Sequence, residues 1–275
     1  MLIDSHCHLH DREFFTAEQA EEMLKRAREN GIEKIICIGT SHEDSLAARD
    51  FAESHENVYW TYGIHPENAG EGVADISERR RVRRLASRGL AAAARGDGPA
   101  ERASELDMSV RTPSGLVAIG EVGLDYHYDG YDREAQIKLF REMLELAKEY
   151  DLPVSFHVRE AYDDFFEIVK DYPEVRGVVH SFTDSKKNLK RILNETNFYV
   201  GVNGLATYST LPTPPLERII LETDAPFLTP APFRGIINEC AYVHNIAEWL
   251  SEKLGMDFKI IERETTENAR KLFRI

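Results

Sequence analysis

The chain has 275 residues and a mass of 31.4 kDa, which is enough for one barrel-sized domain or two smaller ones. Its 42% hydrophobic and 30% charged residues are typical of a folded globular protein and exclude a disordered or fibrous chain. The formal net charge of -14 argues against a surface that holds nucleic acid by overall positive charge, so a polyanionic substrate would need cations inside a cleft.

Short apolar runs alternate with amphipathic segments along the chain, and their near-continuous hydrophobicity is what strands buried on both faces require. In chain order the predicted strands are Leu2–His6, Lys34–Gly39, Val58–Ile64, Leu116–Glu121, Val154–His157, Val178–Phe182, Phe198–Val202 and Arg218–Glu222. The predicted helices include Ala17–Asn30, Arg133–Tyr150 and Ala161–Asp171. This alternation indicates parallel strands and predicts a single (β/α)8 barrel over residues 1–275. An open doubly wound sheet is the alternative, but no Gly-rich phosphate loop follows any strand.

Histidine and acidic residues recur where the predicted strands end, at the rim where a parallel barrel builds its active site. They are His6, His8, Glu121, His157, His180 and Asp224. The spacing of the two histidines in His6-Cys7-His8 places both rings on one face of the strand. Each residue alone has an ordinary structural explanation. Burying all six without partners would cost several kcal/mol each, whereas a pair of divalent cations would satisfy them together.

Several motifs, taken in order, resemble the TatD-type metal-dependent deoxyribonucleases of the amidohydrolase superfamily. They are MLIDSHCHLH at the start, GIHP at Gly63–Pro66, AIGEVGLDY at Ala118–Tyr126, PVSFHVREA at Pro153–Ala161, GVVHSF, ILETDAPFL at Ile220–Leu228 and PFRGIINE at Pro232–Glu239. The resemblance runs from residue 1 to TTENARKLF at Thr265–Phe273 and implies a TIM-type barrel of the metal-dependent hydrolase variety.

The resemblance implies two divalent cations per chain. Its ligand set is His6, His8 and Asp224 for one ion and His157 and His180 for the other, with Glu121 bridging the two. Imidazole and carboxylate ligands suit Mg²⁺, Mn²⁺ or Zn²⁺, and the choice among them stays open. Cys7 should point to the opposite face of its strand and pack there.

The chemistry implied is hydrolysis of a phosphodiester bond through a water activated by two metal ions. Glu121 and Asp224 are the predicted catalytic residues, with Asp224 accepting the proton of the water. Glu222, two residues earlier on the same face, either orients a ligand or makes a structural hydrogen bond.

Three residues are predicted to bind substrate. Arg159 and Arg234 can pair with phosphate oxygens through two hydrogen bonds each, and His65 resembles the family's HP position. Asp125 and Tyr126 follow the predicted bridging residue, and a role for them in orienting ligands or stacking a base is as compatible with the sequence as a plain loop role.

Two segments depart from the family pattern, and we expect the barrel to be distorted at both. Residues 71–114 form an Arg/Ala-rich insertion with nine arginines and no aromatic residue. A surface loop explains its RRRVRR run better than a nucleic-acid patch, and a shifted reading frame is also open. Only 13 residues, 205–217, join the last two predicted strands, and their three prolines leave no room for a crossover helix.

The leading functional prediction is a 3′→5′ exonuclease on single-stranded DNA, with RNA and endonuclease action left open. The alternative is that the same metal centre hydrolyses an ester or amide bond, as in a D-aminoacyl-tRNA deacylase or a small-molecule amidohydrolase. A non-catalytic binding protein is the third class, and retention of all six ligands disfavours it.

The three cysteines, Cys7, Cys37 and Cys240, have no CxxC spacing and no even pairing. With no leader pattern or membrane-length apolar run, we expect a cytoplasmic monomer or weak oligomer without a membrane partner.

Overall fold

The computed structural model describes residues 1–71 and 115–275. Eight parallel strands follow one another in a single sheet in chain order, β1 to β8. Their bounds are Leu2–Cys7, Ile32–Cys37, Val58–Tyr62, Leu116–Asp125, Val154–Arg159, Gly177–Val179, Tyr199–Val202 and Ile219–Leu221. The predicted (β/α)8 barrel is therefore confirmed, whereas the predicted insertion at about 71–114, with its run Arg79–Arg84, falls outside the described residues.

The last strand approaches the first, and this nearly closes the sheet into a barrel. A parallel bridge joins Cys7 to Ala225, and the backbone amide of Asp224 donates a 2.8 Å hydrogen bond to the carbonyl of His6. The backbone amide of His8 donates a second 2.8 Å bond to Ala225. This seam between β1 and β8 lies directly at the predicted ligands, so barrel closure brings them together.

Helices alternate with the strands, and several begin at a polar residue that caps the free amides of the first turn. In the described ranges, α1 to α7 are Ala17–Glu29, His42–Glu53, Arg133–Glu149, Tyr162–Val169, Lys186–Glu195, Val243–Leu254 and Phe258–Phe273. Thr16 forms a reciprocal capping box with Gln19 at the start of α1. Ser41, Asp132 and Ser185 cap the starts of α2, α3 and α5.

The apolar core lies in two layers, one between strands and helices and one inside the barrel. The inner layer contains Ile3, Ile36 and Val178, and α7 adds Leu272 and Phe273 to it. Because Thr266 of α7 donates a hydrogen bond to the carbonyl of Met1, this helix packs at the end where β1 begins. The apolar filling at this end leaves the opposite end, where the strands finish, for polar groups.

No α-helix lies between β7 and β8, as the sequence predicts. The connection contains two short 3₁₀ helices, Gly204–Tyr208 and Leu216–Arg218. The strands are nevertheless fully covered, since Val200 and Ile219 are completely buried. Asn268 of α7 also donates to the carbonyl of Ile219 at 2.8 Å. The distortion at 205–217 therefore shortens a connection without exposing the barrel.

Gly123 allows β4 and β5 to approach closely beside the candidate site. A Cβ at this position would lie 1.9 Å from the carbonyl oxygen of His157, and the φ angle of 151° suits glycine. We expect Gly123→Ala to lower the free energy of unfolding by about 3 kcal/mol or more, because overpacking adds to backbone strain. Gly130→Ala is the matched control, since its φ is also positive but no atom lies within 4 Å. Urea unfolding of both variants measures the difference, and equal losses would contradict the packing argument.

Candidate metal centre

All six predicted ligands meet at the end of the barrel where the strands finish. His6 is in β1 and His8 follows it, while Glu121 and His157 lie in β4 and β5. His180 and Asp224 lie just after β6 and β8. Although each comes from a distant part of the sequence, the parallel sheet delivers them to one rim.

Glu121 lies at the centre of the cluster and is 96% buried. One carboxylate oxygen, Oε1, is 2.7 Å from Nδ1 of His157 and 3.4 Å from Nε2 of His180. The other, Oε2, is 3.4 Å from Nε2 of His6. The two oxygens thus face imidazoles from three strands, which is the arrangement that a carboxylate shared by two cations needs.

Asp224 is the second carboxylate of the cluster. Its Oδ1 is 3.5 Å from Nε2 of His6 and 3.4 Å from Nε2 of His8. The ring of His6 stacks on the ring of His180, with centroids 3.6 Å apart. His180 consequently lies beside Asp224 as well as beside Glu121.

Three groups of donor atoms in this cluster are compact enough to hold an ion, each with its atoms within 4.8 Å of one another. They are His6, His8 and Glu121; His6, His180 and Asp224; and Glu121, His157 and His180. The third group matches the ligands predicted for the second ion. The sequence prediction assigned His6, His8 and Asp224 to one ion. The structure instead groups His6 and His8 with Glu121, and His6 and His180 with Asp224, because His180 reaches both carboxylates.

The Nε2 atom of His6 shows that the cluster fits a cation. It is fully buried and has no hydrogen-bond partner, although Glu121 and Asp224 both face it from 3.4 to 3.5 Å. A buried polar atom without a partner is costly, and a divalent cation bound between this nitrogen and the two carboxylates would satisfy it. Imidazole and carboxylate are also the donor types that Zn²⁺ and Mn²⁺ accept.

The second ring nitrogens of two histidines face protein oxygens, as is common for metal ligands. Nδ1 of His8 lies 3.2 Å from the carbonyl oxygen of Ile38, which leaves Nε2 to face Asp224. Nδ1 of His180 lies 3.2 Å from Oε1 of Glu222. The same oxygen of Glu222 accepts a 2.6 Å bond from the backbone amide of Ser181, which fixes the carboxylate in place.

Neighbouring carboxylates raise the pKa values of His8 and His157. Burial opposes the charge on His8, but the hydrogen bond and negative charge of Asp224 outweigh it and raise the pKa of His8 to about 9. Burial is likewise outweighed at His157, by hydrogen bonds to Asp125 and Glu121, so its pKa rises to about 9. For Glu121, burial is outweighed by the charges of the surrounding imidazoles, which hold the pKa of the carboxyl well below its usual range. The negatively charged carboxylates therefore favour a positive charge between them, whether it is carried by a protonated imidazole or by a cation.

Asp125 joins the site, although the sequence left it equally compatible with a loop role. Strand β4 continues to Asp125, and its Oδ2 lies 2.9 Å from Nε2 of His157. The residue is buried, and burial is outweighed by the hydrogen bond from His157, so the pKa of Asp125 is lowered. A sequence signal existed, because Asp125 is four residues after Glu121 and shares its face in a continuous strand.

Of the three residues predicted to bind substrate, His65 lies beside the cluster, whereas the two arginines differ in position. The ring centroid of His65 is 4.4 Å from that of His157, and burial with the charge of His157 lowers the pKa of His65 to about 4. Arg159 pairs in register with Asp125, and its guanidinium lies 5.2 Å from the ring centroid of Tyr128. Arg234 is on the exposed loop after β8, where it lies over the ring of Tyr208. In the described part of the chain, no contact links Arg234 to the six ligands.

The sequence of the chain is similar to those of known metal-dependent hydrolases. The profile of the family described as TatD related DNase matches residues 3–274. The chain belongs to this family. A metal-dependent hydrolase of Bacillus subtilis, YabD, which is described as uncharacterized, is 34% identical over 100% of both chains. A protein of Pantoea ananatis named 3'-5' ssDNA/RNA exonuclease TatD is 31% identical over 94% of each chain.

Solved structures of TatD proteins share the barrel. The crystal structure of YJJV, a TatD homolog of Escherichia coli k12, superposes with a TM-score of 0.79 at 29% identity, covering 100% of this chain and 98% of its own. A TatD-family hydrolase of Entamoeba histolytica gives 0.81 at 23% identity over 99% and 97% of the two chains, which supports the fold alone. This TatD-family chain is thus a metal-dependent hydrolase. None of its described helices has the length and apolar character needed to cross a membrane.

Proposed function

We propose that this TatD-family hydrolase is a nuclease that removes nucleotides from the 3′ end of single-stranded DNA, with RNA as a further substrate. The observation that carries the proposal is the convergence of four imidazoles and two carboxylates around the unpartnered Nε2 of His6. The related exonuclease of Pantoea ananatis, at 31% identity, supports the choice of a phosphodiester bond.

The residues would hold two divalent cations, with Glu121 between them. When bound, such ions would lower the pKa of a water molecule and neutralise charge on the phosphate oxygens. Asp224 would accept the proton of the attacking water, because its carboxylate faces the open side of the cluster and is 14% exposed. Glu222 would keep His180 in place through the contact of its carboxylate with Nδ1.

Substrate phosphate needs additional donors because the chain carries a net charge of -14. His65 and Arg159 are the candidates that lie beside the cluster. His65 would donate one hydrogen bond to the phosphate, and Arg159 would supply a permanent positive charge. Arg234 would contact a more distant part of the strand, since the guanidinium lies on the loop after β8.

The test is release of mononucleotides from single-stranded DNA labelled at the 3′ end. We expect release with Mg²⁺ or Mn²⁺ and none with EDTA, and label placed at the 5′ end should stay in long products at early times. A single-stranded RNA of the same sequence tests the second substrate. Failure to cleave DNA or RNA by folded, metal-loaded protein would contradict the proposal. Cleavage of ester or amide substrates in that case would assign the centre to a deacylase or amidohydrolase activity.

A further inference from the structure

Two exposed phenylalanine rings lie beside the metal centre and take no part in the core. Phe14, on the loop after β1, is 45% exposed, and Phe227, on the loop after β8, is 46% exposed. Their ring centroids are 5.2 Å apart, with the rings nearly perpendicular. The ring of Phe227 also lies 6.3 Å from the ring of His8, so the pair adjoins one edge of the ligand cluster.

The backbone holds Phe227 at a fixed place relative to the ligands. Its amide donates a 2.8 Å hydrogen bond to the carbonyl of Asp224, three residues earlier. Its carbonyl accepts a hydrogen bond from the side chain of Asn238, which is completely buried and also donates to the carbonyl of Thr223. A ring that is exposed on an anchored backbone is suited to recognition, because little conformational freedom is lost when a ligand contacts it.

Phe14 is anchored through its neighbour in the sequence. Phe15 is 99% buried, and its backbone amide donates a 3.0 Å hydrogen bond to the carbonyl of Asp11. The chain thus turns one of two adjacent rings into the core and leaves the other at the rim. The exposed ring packs only partly, against Phe227, and keeps 45% of its surface open to a ligand.

We propose that Phe14 and Phe227 form a platform on which a nucleobase of a single-stranded substrate stacks. The inference rests on the proposed nuclease function and extends it to the base next to the scissile phosphate on the His8 side. Bases of every type have a flat face that stacks on an aromatic ring, so the platform selects unpaired strands without reading their sequence. In a duplex, the stacked bases are unavailable to it.

A second aromatic group lies on the other side of the cluster. Tyr128 is 57% exposed, and Arg159 lies over its ring and donates a 3.4 Å hydrogen bond to its hydroxyl. Because Arg159 is the register partner of Asp125, this pair adjoins the edge of the cluster formed by β4 and β5. The strand would therefore cross the centre from the phenylalanine platform towards Tyr128, with a phosphate between them.

The experiment compares two metal-loaded reactions that differ by one base. One single-stranded oligothymidylate is intact. Two others carry an abasic tetrahydrofuran, either at the 3′-terminal nucleotide or at the nucleotide before it. We expect one of the two abasic strands to be the poorer substrate, with a kcat/KM about tenfold below that of the intact strand for the wild-type protein. In Phe14→Ala and Phe227→Ala, this ratio should fall towards one, whereas Ile260→Ala, which shortens a similarly exposed side chain on α7, should keep it.

Aromatic and apolar replacements separate stacking from simple packing. Phe227→Trp should retain the ratio and Phe227→Leu should lose it, although both keep an apolar side chain. Binding of a strand with 2-aminopurine at the sensitive position to metal-loaded protein, measured by stopped flow before cleavage, should quench the fluorescence of that base in the wild type and less in Phe227→Ala.

The outcomes distinguish the stacking platform from the nuclease function on which it rests. Equal cleavage of intact and abasic strands by the wild type would overturn the platform and leave the nuclease function standing. Cleavage of neither strand would overturn the nuclease function and the platform with it. A concentration-dependent dimer that Phe14→Ala and Phe227→Ala both abolish, together with equal cleavage of the two strands, would assign the rings to contact between copies of the chain.

Discussion

Replacement of Glu121 by glutamine should abolish hydrolysis and metal binding together. The change keeps the shape of the side chain but removes the charge that His6, His157 and His180 face. Under the proposed assignment, both ions would lose a ligand with this carboxylate, and we expect kcat on single-stranded DNA to fall by about a thousandfold or more. Metal content of the dialysed protein, measured by mass spectrometry, should fall below one ion per chain.

The matched control for this variant is Glu239→Gln. Glu239 is also largely buried, but its carboxylate accepts hydrogen bonds from the guanidinium of Arg26 outside the cluster. The control should lose some stability while retaining its metal content and kcat. Full activity of Glu121→Gln at saturating Mn²⁺ would show that the carboxylate is not needed between the ions.

Replacement of Asp224 by asparagine should separate proton transfer from retention of the second ion. Asp224 faces His6 and His8 but does not contact His157. We expect kcat to fall by about a hundredfold to a thousandfold, because the proposed acceptor of the proton of the water, which is also a proposed ligand of one ion, is lost. The ion on the side of His157 should remain, so metal content should settle near one ion per chain.

The pH dependence of single-turnover rates tests this assignment directly. If Asp224 accepts the proton, the wild-type rate should fall at low pH as the acceptor becomes protonated, and Asp224→Asn should lose this dependence. Loss of both ions from Asp224→Asn would instead make the residue a ligand for the whole centre. Asp151→Asn, on a surface ion pair with Arg274, serves as the control for loss of one carboxylate.

The barrel and the meeting of the six predicted ligands at its rim could be predicted, because both depend on patterns that can be read along the sequence. Strands buried on two faces need apolar residues without interruption, and all eight runs proved to be strands. The predicted ends of the strands were less accurate at the rim of the barrel, where the residues are polar. Strand β4 continues four residues beyond Glu121, whereas β8 ends before Glu222, because hydrogen bonds to neighbouring strands, rather than apolar character, decide where a strand stops.

Contacts between distant side chains were harder to predict. The sequence places His180 with Glu121 but does not show that its ring stacks on His6, since this depends on how the barrel closes. His10 shares the phase of His6 and His8 but lies beyond the end of β1, where it is buried against Asp44, a contact that the sequence does not show. The exposure of Phe14 beside buried Phe15 is likewise decided by tertiary packing, because the two residues are chemically identical.

The seam between β1 and β8 must form before the six proposed ligands can meet. Its contacts join residues far apart in the chain, such as Asp4 and Thr223, which are 219 residues apart and hydrogen-bonded at 2.7 Å. Contacts between such distant residues form late, because the intervening chain must first be ordered. During synthesis, a nascent chain that has not yet produced Asp224 would hold only part of the ligand set. The complete set of six proposed ligands would then exist only in chains whose barrel has closed.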